Sequence, residues 1–248
     1  MILLVNCSFY LFIPKLISLI GLNYALNERI WTSISIFNAL LLNTCLVPLL
    51  LQANFSADYP GSVWDRYLSE GGRNSDFGSS WYTDIGPQLT VSLILLSLQP
   101  LFNILAETIA LKLSIWYKMN HSYGYHDNNH LDNIKFLEIN AGPEYLFYIK
   151  TASLNAVLFI TIVFGVAFPL FYSLALFAII IQYVVERYTL AVFYRLPPKF
   201  SLDLTETNAR VMTFAPLWSM AICFWMFGNH QMFSSEKVGM INKFNGAI

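Results

Sequence analysis

The stretch TASLNAVLFITIVFGVAFPLFYSLALFAIIIQYVV, Thr151 to Val185, holds no charged residue. As one helix rising ~1.5 Å per residue it would run about 52 Å, against a bilayer hydrocarbon core about 30 Å thick. A single upright span cannot use that length. The segment FGVAFPLF, Phe164 to Phe171, offers a break. Gly165 is conformationally permissive, and Pro169 removes a backbone donor and disfavours helix just before it. The pattern predicts a tight helical hairpin with spans at 146–167 and 169–194; one kinked, strongly tilted helix is the alternative. The run continues as VVERYTLAVFYRLPPKF, Val184 to Phe200. Arg187, Arg195 and Lys199 suit the interfacial end of the second arm, where Pro197 and Pro198 stop the helix. Glu186, next to Arg187, lies about two turns deeper. Adjacent helical residues do not face each other. Each is therefore expected to bond to a group on another helix, as interhelical ion pairing, in the inner linker or at the start of the sixth span, which requires a packed bundle.

The rest of the chain has the same character. Of 248 residues, 56% are hydrophobic and 12% charged, where soluble globular domains carry about 25% charged residues. So much apolar surface calls for a bilayer. The expected fold class is all-α, a polytopic helical membrane protein. Spans of about 20 apolar residues are expected at 2–22, 30–53, 87–115, 146–167, 169–194 and 210–232, in a single transmembrane domain with an outer loop at 54–86 and an inner linker at 116–145. The opening MILLVNCSFYLFIPK has no basic region before its apolar run and no small-residue cleavage site, so it does not read as a leader. A net charge of −1 gives no footprint for a nucleic-acid partner. Cys7, Cys45 and Cys223 lie in apolar runs and read as packing residues.

Orientation follows from the basic residues. Such a bundle places ten of them, from Lys15 to Arg210, on one side, and Arg66, Arg73, Lys237 and Lys243 on the other. The richer side is expected to be cytoplasmic, which puts both ends of the chain and the 54–86 loop outside. That loop carries Trp64, Trp81 and Tyr82, side chains suited to a membrane interface. NFS at Asn54 is a glycosylation sequon crowded by a helix end, and NHS at Asn120 lies on the cytoplasmic side. His121, His126 and His130 fall in the inner linker. HDNNH would place two histidines one helical turn apart, a metal-site spacing; the density of Asn and Gly around it favours a polar linker.

Polar groups at membrane depth are costly. The clearest set lies in LLSLQPLFNILAETIALKL, Leu95 to Leu113. Gln99, Asn103 and Glu107 recur at i, i+4 and i+8 and form one stripe, and Pro100 beside them is expected to kink the helix. Two readings stay open: the wall of a water-filled, cation-attracting path, or hydrogen-bonding glue between helices. Asn38 and Asn43 stand about 140° apart round their helix and, like Asn155, are weaker path candidates, better read singly as packing bonds. The sixth span, APLWSMAICFWMFG, reads as lipid-facing scaffold. With no Gly-rich phosphate loop, GxSxG, HExxH or CxxC, no enzyme and no cofactor are expected. No inverted repeat points to a two-halved transporter.

Four features carry a family likeness. FNALLLNTCLVPLL, Phe37 to Leu50, is an aromatic-and-Asn span preceded by Glu28. AGPEYLFYIKT at Ala141 leads into the hairpin, and YVVERYTLAVFYRLPPKF ends it. The fourth is the long kinked helix with its polar stripe. Together these resemble the seven-transmembrane region of the OSCA-type family of hyperosmolality-gated, calcium-permeable channels, which belongs with the anoctamins and the transmembrane channel-like proteins. Two departures stand out. That family has two spans where one is expected here between outer loop and inner linker, and its members are longer, with earlier helices and a cytoplasmic domain. The chain accordingly reads as a fragment or a shortened member. The resemblance implies mechanically or osmotically gated cation channels or lipid scramblases, with a path within each subunit and often a dimer.

Three functions are therefore carried forward. One is a pore-forming region passing cations along Gln99, Asn103 and Glu107. The second is a phospholipid scramblase using the same stripe as a headgroup groove. The third is a non-conducting structural subunit. The expected partners are membrane lipids and cations, with a second copy or the missing parts of a longer chain.

Overall fold

The computed structural model describes residues 2–22, 24–52, 79–122, 142–195 and 202–228. Among these the chain is all-α. Helix α1 is Ile2–Ile20. Helix α2, Ala25–Leu41, passes through a π turn at Leu42–Leu46 into α3, Val47–Gln52. Then come α4 (Ser79–Ser97), α5 (Gln99–Ser122), α6 (Phe147–Phe164), α7 (Leu170–Val192), α8 (Leu202–Met212) and α9 (Ala215–Gly228).

Helix α6 is the hub, packed against α2, α4, α7, α8 and α9. Its small residues Ala152, Ser153 and Ala156 are buried and allow close helix approach. The core joins Ile36 and Leu40 of α2, Leu89 and Leu93 of α4, Val157 and Ile160 of α6, and Phe171 of α7. The outside is apolar too. Leu176, Phe177 and Ile180 of α7, and Leu217, Met220 and Phe224 of α9, are exposed. A bundle apolar on both inside and outside suits lipid, since each helix satisfies its own backbone groups. Four helices among the described residues are long and apolar enough to cross a membrane: Ala25–Leu50, Phe147–Phe164, Leu170–Val192 and Leu202–Phe227. A bent pair, Trp81–Ser97 with Gln99–Tyr117, and the shorter apolar helix Val5–Ile20 complete the set.

The hairpin expected at Gly165 and Pro169 is present: α6 ends at Phe164, α7 begins at Leu170, and the turn lies between them. A Cβ at Gly165 would overlap the Thr161 carbonyl oxygen and the Tyr172 ring. Trp81 and Tyr82 of α4 pack on Phe168 at this turn, ring centroids 5.6 and 5.3 Å away.

Boundaries differ in five places. The stretch expected as one span at 87–115 is two helices bent by 46° at Leu98. Pro100 gives the reason: it cannot donate to the Leu96 carbonyl, and its ring crowds that group. Residues 79–86, expected in the outer loop, begin α4, and α5 runs on to Ser122, into the expected linker. The second span starts earlier, at Ala25, with Glu28 in its first turn, where an acid favours the helix dipole. The sixth starts at Leu202 as the polar helix α8, supported by Asp203 in its first turn and an i,i+4 pair, Arg210 to Glu206 at 2.7 Å. The π turn precedes Pro48, which withholds the donor that the Thr44 carbonyl would need. The Asn54 sequon, Trp64, His126, His130, Pro197, Pro198 and Lys199 lie outside the described residues, as do the side chains of Asn120 and His121.

Candidate functional site

The polar stripe lies wholly on α5, after the bend. Gln99 is buried, and Asn103 and Glu107 are half-buried. Leu101, Phe102, Leu105 and Ile109, on the other faces of the same helix, are exposed. The stripe therefore points into the bundle, toward α6 and α7.

There it meets a cluster drawn from three helices and the segments flanking the hairpin. The Glu107 carboxylate accepts a hydrogen bond from the Tyr194 hydroxyl. That hydroxyl in turn accepts one from Lys150 Nζ at 2.6 Å. The ammonium lies 4.2 Å from the Tyr194 ring centroid and 4.9 Å from that of Tyr145. The Tyr145 hydroxyl donates to Glu186 Oε2 at 3.0 Å, and Gln182 Nε2 donates to Glu186 Oε1. The two tyrosine rings meet edge-on at 5.2 Å. Burial raises both phenols above the ordinary tyrosine range. The neighbouring carboxylate adds to this, Glu186 for Tyr145 and Glu107 for Tyr194. Both stay protonated as donors.

Backbone geometry holds the tyrosines in place. The Phe193 and Tyr194 amides both donate to the Thr189 carbonyl, at 2.8 and 3.0 Å, closing α7. The Arg195 amide donates to the Pro143 carbonyl at 3.2 Å, and its Nε to the Gly142 carbonyl at 2.7 Å. The strands of chain before α6 and after α7 are thereby stitched together. Gly142 permits it: a Cβ there would overlap the Phe193 carbonyl oxygen.

From this cluster a line of polar groups runs toward the middle of the bundle. Pro100, Asn103, Lys150, Ser153, Gln182 and Glu186 line a cavity of about 10 Å³. A second, also about 10 Å³, is lined by Ser97, Pro100, Ser153 and Gln182, together with Leu96, Val157 and Ala178. Each has room for about one water. The Tyr10 hydroxyl of α1 is buried beside Ser153 and Gln99 without meeting hydrogen-bond geometry with either. Leu96 and Val157, which line the second cavity, belong with Leu93 to the buried apolar core, in which the hydroxyls of Ser92 and Thr161 are also buried.

The other expected residues lie elsewhere. Asn43 donates to Asn6 of α1 at 2.8 Å. Asn155 is half-buried, about 200° round α6 from Ser153. Asn38 is exposed on a separate groove of about 480 Å³ between α2, α6, α8 and α9, with apolar side chains such as Phe37, Leu41, Val163 and Trp218 around it. The interhelical ion pairing expected at Glu186 and Arg187 is not formed among the described residues; Glu186 does meet a group of the segment expected as the inner linker, accepting a hydrogen bond from the Tyr145 hydroxyl. Arg187 is exposed and donates to Tyr183 one turn back on its own helix, at 3.1 Å. The exposed side of α7 offers Arg187 no second helix among the described residues. Among the described residues the ion pairs are Arg210 with Glu206 and Arg29 with Glu144, and no group of three or more His, Cys, Asp or Glu could hold a metal ion.

The sequence pattern uses Lys150 only as one of the ten basic residues that set orientation, and singles out none of Tyr145, Gln182 and Tyr194. A signal was there. Lys150 lies inside the apolar run YLFYIKTASLNAV, and Gln182 stands one turn before Glu186 in an otherwise apolar helix. Comparison of the chain with protein-family models, curated proteins and solved structures gives no match.

Proposed function

We propose that the chain forms a cation path across a membrane, along the face that α5 shares with α6 and α7, and that this conformation is its closed state. The observation carrying the proposal is the inward line of carboxylates, amides and hydroxyls, drawn from three helices of a bundle whose outside is apolar. Ionisable groups at membrane depth mark ion and proton routes more often than not. Glu107 and Glu186 set the sign of the ion, and Gln99, Asn103, Ser153 and Gln182 supply dipoles that replace part of its hydration. Leu93, Leu96 and Val157 act as the apolar constriction that excludes water when closed. Calcium permeability, gating by tension or osmotic stress, and pairing with a second copy are the parts of this proposal that rest on the family likeness. The distribution of Lys and Arg supports a cytoplasmic location for the Tyr145 and Tyr194 end.

A second reading has an observation of its own. The Glu107 carboxylate is bonded to Tyr194, as expected if the stripe only holds helices together. The stripe faces the inside of the bundle, and the exposed faces of α5 are apolar; a headgroup groove open to lipid would show the reverse, so ion passage is favoured over lipid transfer.

The test is the purified chain in liposomes, with ion flux and lipid flipping recorded together under osmotic stress. Cation flux is expected. Glu107→Gln keeps an acceptor for Tyr194 and removes the charge, so folding should survive while cation-over-anion selectivity falls. If wild type conducts and reversal potentials in asymmetric salt are the same for both proteins, Glu107 does not face the path. If wild type passes no ions, the structural reading replaces this one.

A further inference from the structure

Thr32, Thr90, Thr151 and Thr189 each donate a hydrogen bond to the carbonyl one turn back on their helix, at 2.7, 2.8, 3.0 and 2.9 Å. Thr161 of α6 does not. Its hydroxyl is buried without a hydrogen-bond partner among the described residues, and the residue is 3% exposed. A helical threonine ordinarily has that carbonyl within reach. Leaving the bond unmade in a buried place carries the cost of desolvating the hydroxyl, and such an exception calls for a reason.

Its position supplies one. Ser153, Val157 and Thr161 follow one another along α6 at i, i+4 and i+8, the spacing of Gln99, Asn103 and Glu107 on α5. Ser153 lines both small cavities and Val157 lines the second. Thr161 comes one turn later, about 12 Å along the helix from Ser153. Helix α4, which packs against α6, repeats the pattern. Its Leu96 lines the second cavity, and Ser92, one turn nearer the hairpin turn, is buried. Both helices therefore set a hydroxyl just beyond the apolar residues assigned to the constriction.

We infer that Thr161 and Ser92 are the water-binding residues of the path on the far side of its constriction, buried in this conformation and hydrated when the path opens. This rests on the proposed cation path and names its next residues. Each hydroxyl offers one donor and two lone pairs to an ion's water or to the ion, where Leu96 and Val157 offer none. Since the Thr161 hydroxyl is without a partner in the closed conformation, hydration relieves a cost of that conformation and favours opening.

The test uses Ag⁺, a small impermeant cation that binds thiols, on sealed vesicles holding the full chain with its native cysteines replaced. Thr161→Cys and Ser92→Cys are read separately. Access is scored as protection of the thiol from N-ethylmaleimide added after unfolding, so it needs no flux. Osmotic stress should open both thiols to Ag⁺, and at rest the reaction should be at least about tenfold slower, as expected where the open state is a minor one. Should Thr161→Cys fail to fold, Ser92→Cys, which exchanges an oxygen for a sulfur, decides alone. Thr161→Val removes the hydroxyl at nearly constant shape. It should melt about 2–4 °C higher and lower stress-induced cation flux at least about fivefold, while Thr161→Ser keeps the flux of wild type. A threonine that only packs would not give a variant both more stable and less conducting. A lower melting temperature or unchanged flux in Thr161→Val overturns the inference. Flux in wild type with neither thiol protected overturns it and leaves the path standing. Protected thiols with no flux in any protein leave the water site standing and remove the path.

Discussion

Glu186 and Arg187 are adjacent in sequence, and the structure gives them opposite fates. Glu186 is half-buried and accepts hydrogen bonds from Tyr145 and Gln182, both buried. Glu186→Ala removes the acceptor from two buried donors and one of two counter-charges near Lys150. Hydrogen bonds to a charged group contribute about 1.5–3 kcal/mol each, and removing one partner of a buried charged set costs about 3–5 kcal/mol. Partial exposure of Glu186 screens its charge and places the expected loss at the low end, about 3 kcal/mol. For a chain of this size that lowers the melting temperature by about 6–12 °C. Arg187→Ala removes an exposed side chain bonded within its own helix and should change stability by no more than about 0.5 kcal/mol. Glu186→Gln keeps one acceptor oxygen and should fall between the two. The assay is thermal unfolding of the detergent-purified proteins, followed by intrinsic fluorescence and by loss of the monodisperse peak on size exclusion. Equal melting of the Glu186→Ala and Arg187→Ala proteins would show that Glu186 is solvated, and the cluster would lose its claim to hold the hairpin.

Gly142→Ala should destabilise by about 1–3 kcal/mol, because its Cβ meets the Phe193 backbone, which cannot step aside without parting Arg195 from Pro143. Gly86→Ala, whose Cβ meets only the Phe168 ring, should cost less, and equal melting of the two variants would refute the stitch. With the native cysteines replaced, single cysteines at Val166, in the hairpin turn, and at Arg195 should react with impermeant reagent from opposite sides of sealed vesicles, Arg195 from the cytoplasmic side; labelling from the same side contradicts a membrane-crossing α7.

Apolar run length made most helices legible, together with Gly165 and Pro169 for the hairpin. The bend at Leu98 was half legible. Pro100 announced a distortion, but hydropathy stayed high across it, so one span stood where two helices lie. Polar helix starts at Asp203 and at Glu28 were hidden for the converse reason: capping charges and i,i+4 pairs extend a helix past the point where its hydropathy falls. At the site, a stripe on one helix is a periodicity and can be read from a single segment. Its partners are not. Tyr194 and Lys150 are brought to Glu107 by a hairpin turn and by the close approach of Gly142 to Phe193, and no local pattern encodes which phenol reaches which carboxylate.

The network divides unevenly between the elements it joins. Tyr145, Gln182 and Glu186 bond among themselves, and Arg195 bonds back to Gly142 and Pro143. All of these belong to the hairpin of α6 and α7 or to the segments flanking it, so the hairpin is a closed unit at this end. Helix α5 is tied to that unit through its carboxylate, by the Tyr194 hydroxyl to Glu107. It also leaves α4 at a bend beside a proline, where the helical ladder is already short of one bond. If the proposed path opens by separation of α5 from the hairpin about the bend at Leu98, Glu107 moves away from Tyr194, and the hydroxyl that accepts from Lys150 loses its own acceptor.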